Sequence, residues 1–400
     1  MRTTVALLCC ALGAGAPPAI VTDPAKTGLD PARLKRIPAR MQEFVDRGTV
    51  AGVVTLVARR GHVAALDAVG FSDLESRRAL STDAIFQIHS MTKPVVCFAI
   101  LQLAEQGLLA LTDPVEKYLP EFRGQQVLDG GHLRQPARPV LIRDLMTHTS
   151  GMALNPPPGI GELHGALHKT LSEVTLIVSQ QPLAFDPGSR WQYSNTGIAT
   201  LGRIIEITSG LAFEKYLEAR IFRPLGMQDT YIYPPAAKYG RMPVAYILKD
   251  GKPVKYTADP LGEGAMKFRA GARYPLPEGG LYSTAADLFA FSQMMLNKGI
   301  FQGVRLLSRA GVELMTTNHT GTLATSAPGA GWGLGWFVIR EPLGELSLLS
   351  KGAFGHGGRY GTYQFIDPER ELIGLFLIHR EGGAGERNAF VEMALSSVVD

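Results

Sequence analysis

Ser90 and Lys93 stand three residues apart in Ser90-Met91-Thr92-Lys93, followed by the apolar run Pro94-Val95-Val96-Cys97-Phe98-Ala99-Ile100. On a helix this spacing places hydroxyl and amine on one face, about one turn apart. A serine at the helix start also gains from the partial positive charge of the free N–H groups. The amine takes the hydroxyl proton only when it is itself neutral, so burial must lower its pKa from about 10.4. The apolar run supplies such surroundings. The chemistry is nucleophilic: the serine oxygen attacks a carbonyl, and an acyl intermediate divides one difficult step into two. Ser-x-x-Lys alone is a weak signal, arising about once by chance in a chain of this size.

Two further segments add to it. Tyr193-Ser194-Asn195 follows the turn sequence Asp186-Pro187-Gly188-Ser189, which predicts a loop feeding the next helix. A phenol held near an ammonium relays protons to a departing alcohol. Asn195 either hydrogen-bonds and orients the lysine or binds substrate. Gly355-His356-Gly357-Gly358-Arg359-Tyr360-Gly361 precedes a late pair of predicted strands. Its glycines let backbone approach a ligand closely, and a strand-edge N–H there pairs with the N–H of Ser90 as an oxyanion hole.

Other chemistries lack their markers. There is no Gly-x-Ser-x-Gly elbow, no His-Glu-x-x-His, no Cys/His cluster at zinc spacing and no phosphate-cradling glycine loop. No metal or other cofactor is therefore expected. Lys plus Arg number 40 against 36 Asp plus Glu, a net charge of +4, which gives no electrostatic case for nucleic acid. Three cysteines in 400 residues exclude a disulfide scaffold. With 46% apolar residues the chain has ample surface to bury.

These groups need a scaffold that brings distant segments together. Asp30-Pro31 opens a predicted helix through Phe44-Val45. Gly52–Ala58 and Val63–Val69 read as a hairpin turning at Arg59–His62. The stretch from Lys93 to Thr230 is mostly helical in pattern. Gly361–Ile366 and Leu372–Ile378 are strands joined at Asp367–Arg370, and Asn388–Val399 closes the chain as a helix. Strands at both ends around a helical middle predict an α+β fold with one antiparallel sheet and an inserted helical lobe. The expected division is a sheet domain from 17–104 and 246–400 with a helical domain at 105–245. Loops at 152–164 and 246–274 are expected to set substrate choice. Residues 1–16, with one positive charge, a short apolar run and an Ala14-Gly15-Ala16 ending, read as a signal segment. Its removal implies a periplasmic or secreted protein, its retention a cytoplasmic one. No stretch is long and apolar enough for an integral membrane anchor.

Ser-x-x-Lys, Tyr-x-Asn and a late His-Gly-Gly, in that order, resemble the serine β-lactamase and penicillin-binding-protein superfamily, in its class C β-lactamase-like branch. Ile142–Gly151, Pro224–Met227 and Gly279–Leu288 resemble its flanking segments, so the likeness spans about residues 30 to 395. It implies the β-lactamase/transpeptidase-like fold, with Ser90 as acylated nucleophile, Lys93 as base and Tyr193 as proton relay. Asn195 matches the supporting amide. The N–H groups of Ser90 and Arg359 match the oxyanion hole, and His148 a structural helix-end residue. Class C β-lactamases carry Lys-Thr-Gly where this chain has His356-Gly357-Gly358. A neutral histidine is a poorer carboxylate anchor, and Gly357 lacks the hydroxyl. This resembles the family VIII carboxylesterases and implies a small, uncharged ester as substrate. The alternatives are a class C-like β-lactamase, a D-aminopeptidase or DD-peptidase, an acyltransferase, and a sensor acylated without turnover.

Overall fold

The computed structural model describes residues 15–16, 20, 22–155, 168–256, 272–382 and 384–400. The signal reading therefore falls almost wholly outside the described residues, as does much of each loop expected to set substrate choice.

An eight-stranded sheet forms the frame. Its strands are β1 (Gly52–Arg59), β2 (His62–Asp73), β3 (Arg78–Ala79), β4 (Ala330–Trp332), β5 (Phe337–Ile339), β6 (Phe354–Gly357), β7 (Tyr363–Asp367) and β8 (Leu372–Leu377), ordered β4-β5-β6-β7-β8-β1-β2-β3. All of these pairs are antiparallel. The first and last thirds of the chain meet where β1 pairs with β8, with Val54 opposite Leu377 and Leu56 opposite Leu375. Every residue of β1 is buried, as a strand covered on both faces requires. Side chains alternate across it. Val53 and Val57 join one core with Ile37, Met41 and Phe390, whereas Val54, Leu56 and Ala58 join the larger core with Val96, Phe98 and Met294. The β1–β2 turn has positive φ at both Arg60 and Gly61, the pattern of the turn whose twist suits a tight hairpin.

Five helices matter for the site and the layers around it: α1 (Arg36–Asp46), α2 (Thr92–Glu105), α3 (Asn195–Ser209), α4 (Ala285–Leu296) and α5 (Gly385–Ser396). The first and last cover one sheet face. The long helix predicted from Asp30 is in fact a short turn of helix, Pro31–Leu34, followed by α1. Pro38 has no N–H to give the Leu34 carbonyl, so the run breaks there. Asp30 Oδ1 caps the first piece, accepting from the Ala32 N–H at 2.8 Å.

The glycine-rich segment at 355–361 differs from expectation. Its first part is an inner strand, β6, between β5 and β7, with His356 opposite Gln364 and Gly357 opposite Tyr363. Segment 246–274 is not loop throughout: Tyr246–Lys249 and Lys252–Lys255 form a hairpin, and the first of these strands also pairs in parallel with Arg380–Glu381.

Candidate active site

The chain enters the site through His89, a buried non-glycine residue with φ of 45°. A left-handed backbone costs an ordinary residue roughly 1–2 kcal/mol, and such strain persists where surrounding structure holds it. Its effect is to turn the chain so that Ser90 lies in the short turn His89–Met91 that leads into α2. That helix is buried from Thr92 to Leu103, apolar nearly all round, and packs within the larger core. Lys93 is carried into this core with 0% of its surface exposed.

Burial of an amine demands partners, and Lys93 has two. Its Nζ lies 2.9 Å from Ser90 Oγ and donates to the Glu278 carbonyl oxygen at 2.6 Å. The second partner comes from a segment stitched to the serine turn. Ile88 N–H donates to the Leu281 carbonyl at 2.9 Å, and Leu281 N–H donates to Thr92 Oγ1 at 3.2 Å. Burial lowers the lysine pKa to about 7, partly opposed by the negative charge of Glu278. Near neutral pH the amine is thus divided between its charged and uncharged forms.

Tyr193 ends the loop before α3. Ser194 caps that helix, its Oγ accepting from the Gly197 N–H at 3.0 Å and donating to the Ala153 carbonyl at 2.9 Å. Held in this way, Tyr193 reaches back to Ser90 by a side-chain hydrogen bond, and its ring centre is 4.8 Å from Lys93 Nζ. Burial pushes its phenol far above the usual range, so it stays protonated while Lys93 titrates. Serine, amine and phenol, 103 positions apart in sequence at the extremes, therefore form one cluster.

His148 follows the helix Ile142–Met146 with φ of 58°. Its Nδ1 accepts from the Ser194 N–H at 3.2 Å, and its ring lies 4.4 Å from that of Tyr193. These contacts tie it to the tyrosine loop. Trp332 closes the wall, 5.9 Å from Tyr193 and 5.7 Å from His356 between ring centres.

His356 reaches the same cluster from β6, its ring 6.2 Å from that of Tyr193. Burial, with a smaller push from Lys93, lowers its pKa to about 3. It is uncharged across the physiological range. A Cβ at Gly357 would meet Tyr363 Cδ2 at 3.5 Å and the Thr362 carbonyl oxygen at 3.7 Å, both ordinary contacts. A Cβ at Gly358 would collide with the Ile88 carbonyl oxygen and Thr362 Oγ1. Only glycine lets the strand end press against the turn that bears the serine. The Gly358 N–H is taken by the Thr362 carbonyl at 2.7 Å. The Arg359 side chain runs to Glu381 and to the Tyr256 hydroxyl, each at 3.0 Å.

Asn195 departs from one of its two expected roles. It opens α3, its Nδ2 donates to Asn155 Oδ1 at 2.8 Å, and it makes no hydrogen bond to Lys93. The helix N-terminus fixes its direction, and the lysine's orienting acceptor is the Glu278 carbonyl instead. A backbone oxygen has no side-chain signature, so nothing in the residue types marked it. Among the described residues, no group of three or more His, Cys, Asp or Glu side chains is placed to hold a metal ion, and no helix is long and apolar enough to cross a membrane.

Such a cluster accepts a hydroxyl proton on an amine, holds a second proton on a phenol, and leaves an oxygen nucleophile beside both. The sequence matches the Beta-lactamase family model over residues 37–395. The chain belongs to this family. Among its relatives, Esterase EstB of Burkholderia gladioli is 31% identical over 390 residues, covering 91% of this chain and 95% of EstB. A putative D-alanyl-D-alanine carboxypeptidase of Escherichia coli is 26% identical over 412 residues, covering 94% and 89% of the two chains. Among solved structures, "EstCE1, a hydrolase with promiscuous acyltransferase activity" superposes with a TM-score of 0.77 at 26% identity, covering 92% of this chain and 98% of that one. These likenesses establish the β-lactamase/transpeptidase-like fold and a serine hydrolase of this family.

Proposed function

We propose that the protein hydrolyses small, uncharged carboxylic esters through an acyl intermediate on Ser90. Uncharged Lys93 takes the Ser90 proton as Oγ attacks the ester carbonyl. The tetrahedral oxyanion is held by the N–H groups of Ser90 and Arg359. As the C–O bond to the alcohol breaks, Tyr193 gives its proton to the leaving oxygen and recovers one from the Lys93 ammonium. Water then passes a proton along the same path to Lys93 and attacks the acyl carbonyl. Ser90 leaves, regains its proton, and the carboxylic acid departs. Protons balance over the cycle, and no external cofactor enters.

The observation that carries the ester reading is the uncharged His356 beside Gly357. At the place where class C β-lactamases set a cation and a hydroxyl, this chain offers neither. A carboxylate-bearing β-lactam or peptide would lose both contacts on leaving water, whereas a neutral ester forfeits nothing. The similarity to EstB supports the same choice. Acyl transfer to an added alcohol is a second reading, favoured by the likeness to EstCE1 and chemically distinct only in which hydroxyl attacks the acyl-enzyme.

The test is a panel of p-nitrophenyl esters beside the chromogenic cephalosporin nitrocefin, with wild type and Ser90→Ala. Rapid ester hydrolysis that vanishes in Ser90→Ala supports the proposal. Nitrocefin turnover exceeding that of every ester, or full ester activity in Ser90→Ala, overturns it. Added methanol that diverts most product to the methyl ester selects the transferase reading.

A further inference from the structure

His356 and His148 flank Tyr193 as neutral imidazoles, but their protons sit on different nitrogens. His148 Nδ1 accepts from the Ser194 N–H, so its proton is on Nε2. His356 Nδ1 lies 2.7 Å from the Gly357 carbonyl oxygen. A carbonyl only accepts, so Nδ1 carries the proton there and Nε2 is left with a bare lone pair. Both Nε2 atoms are buried without a hydrogen-bond partner. The His148 N–H stands among the rings of Trp332 and Trp191, edge-to-face at centre distances of 5.0 and 6.2 Å, and π faces accept weakly from an N–H. A lone pair gains nothing from the same surroundings. An acceptor that is 96% buried and unmade is costly, and His356 is only 4% exposed. The nearest aromatic neighbour adds a matching need. Trp332 stands edge-to-face with His356, and its Nε1–H is also buried and unpartnered.

We propose that His356 is a specificity-determining residue whose Nε2 accepts a hydrogen bond from a hydroxyl on the ester substrate. The inference rests on the esterase reading above and names the substrate class within it: hydroxy esters, with the hydroxyl in either the acyl or the alcohol part. A hydroxyl donates and accepts at once, so it answers the lone pair of His356 and the N–H of Trp332 together. A carboxylate answers only the second and would face the lone pair of the first. An ammonium is disfavoured by the positive charge that Lys93 carries for part of the time, the same field that adds to the depression of the His356 pKa.

Two matched pairs test this: methyl 3-hydroxybutyrate against methyl 3-methoxybutyrate, and 2-hydroxyethyl butyrate against 2-methoxyethyl butyrate. Each methyl ether removes the donor and little else. The wild type is expected to favour the hydroxy partner by about tenfold in kcat/KM in at least one pair, the worth of a well-formed buried hydrogen bond. His356→Phe keeps a ring without nitrogens, and the ratio should fall to about one. His356→Gln supplies a side-chain carbonyl acceptor and should restore much of the preference, which decides the matter if the phenylalanine variant does not fold. Equal kcat/KM within both pairs in the wild type, or a preference that survives in His356→Phe, overturns the inference. Ser90-dependent hydrolysis of p-nitrophenyl butyrate, which carries no hydroxyl, is measured alongside. Its absence would sink the esterase reading itself, whereas its presence with equal ratios sinks only the hydroxyl.

Discussion

Lys93 and His356 are both buried nitrogen bases beside Tyr193, and both have pKa values lowered chiefly by burial. The lysine starts from a far higher value and has two oxygen partners, so it comes to rest at about 7. The histidine starts lower, has one partner on one nitrogen, and falls to about 3. The same loss of water thus leaves one group divided between charged and uncharged forms near neutral pH and the other a neutral dipole across the physiological range. Desolvation does not by itself create a catalytic base. It does so where the unperturbed pKa lies several units above the working pH, whereas a histidine treated likewise stays uncharged and is left to hydrogen bonding. On the proposed reading, one cluster holds a part for chemistry and a part for selection.

The sharpest way to break this comparison is to remove Ser90, the proposed nucleophile, whose hydroxyl lies beside the lysine amine. Ser90→Ala should lower ester kcat/KM by 10³-fold or more, the order expected for loss of covalent catalysis, as read with p-nitrophenyl butyrate. Lys93→Met should lose nearly as much activity while gaining stability. Unfolding exposes the amine to water, where it binds a proton at any pH below about 10.5, but the folded protein binds it only below about 7. The unfolded state holds the extra proton between those values, so this group's effect on stability worsens as pH falls from 10.5 and levels off below 7. The depression corresponds to at most about 5 kcal/mol, partly offset by the partners that methionine leaves unpaired. A melting temperature a few degrees above wild type at pH 6.5, with the gap closing toward pH 10, is the expected result.

A smaller loss is expected from Tyr193→Phe. It removes the second proton carrier but keeps the ring against His148, so kcat should drop by about 10²-fold with little change in melting temperature. Gentler still is a change on the histidine side. Gly357 has room for a larger side chain, so His356→Lys combined with Gly357→Thr should fold. It should raise the rate on nitrocefin relative to p-nitrophenyl butyrate by about tenfold, because a cation and a hydroxyl then meet the carboxylate. An unchanged ratio would mean that this pair of positions does not select for charge.

The lysine half of this contrast was open to reading from sequence because it is local. Ser90 stands in the short turn that leads straight into the helix of Lys93, the residues after them are unbrokenly apolar, and spacing plus burial states their chemistry. The outer frame was equally plain where strands are apolar and long, as in β1, β7 and β8. The histidine half was obscure for the opposite reason. Glycine makes up half of β6, with none of the branched residues that mark strands, and β4, two strands away at the sheet edge, hides in the run from Gly329 to Gly335. Their strand character comes from pairing across the sheet rather than from their own preferences. The tautomer of His356 depends on the next residue's carbonyl, and the grip on Lys93 on the carbonyl of Glu278. Residue types do not encode where a backbone oxygen points. Asn195 shows the converse, since its match to a motif invited a contact with lysine that Asn155 takes up instead.

The central claim is that Ser90 is activated by an uncharged Lys93. It is tested most directly by the pH dependence of the first-order rate of Ser90 acylation, followed by rapid quench and mass spectrometry with p-nitrophenyl butyrate. The predicted rate falls about tenfold per unit below pH 7 and levels off above it, as the neutral-amine fraction requires. A rate still climbing toward pH 10, or one indifferent to pH between 5 and 9, would contradict it.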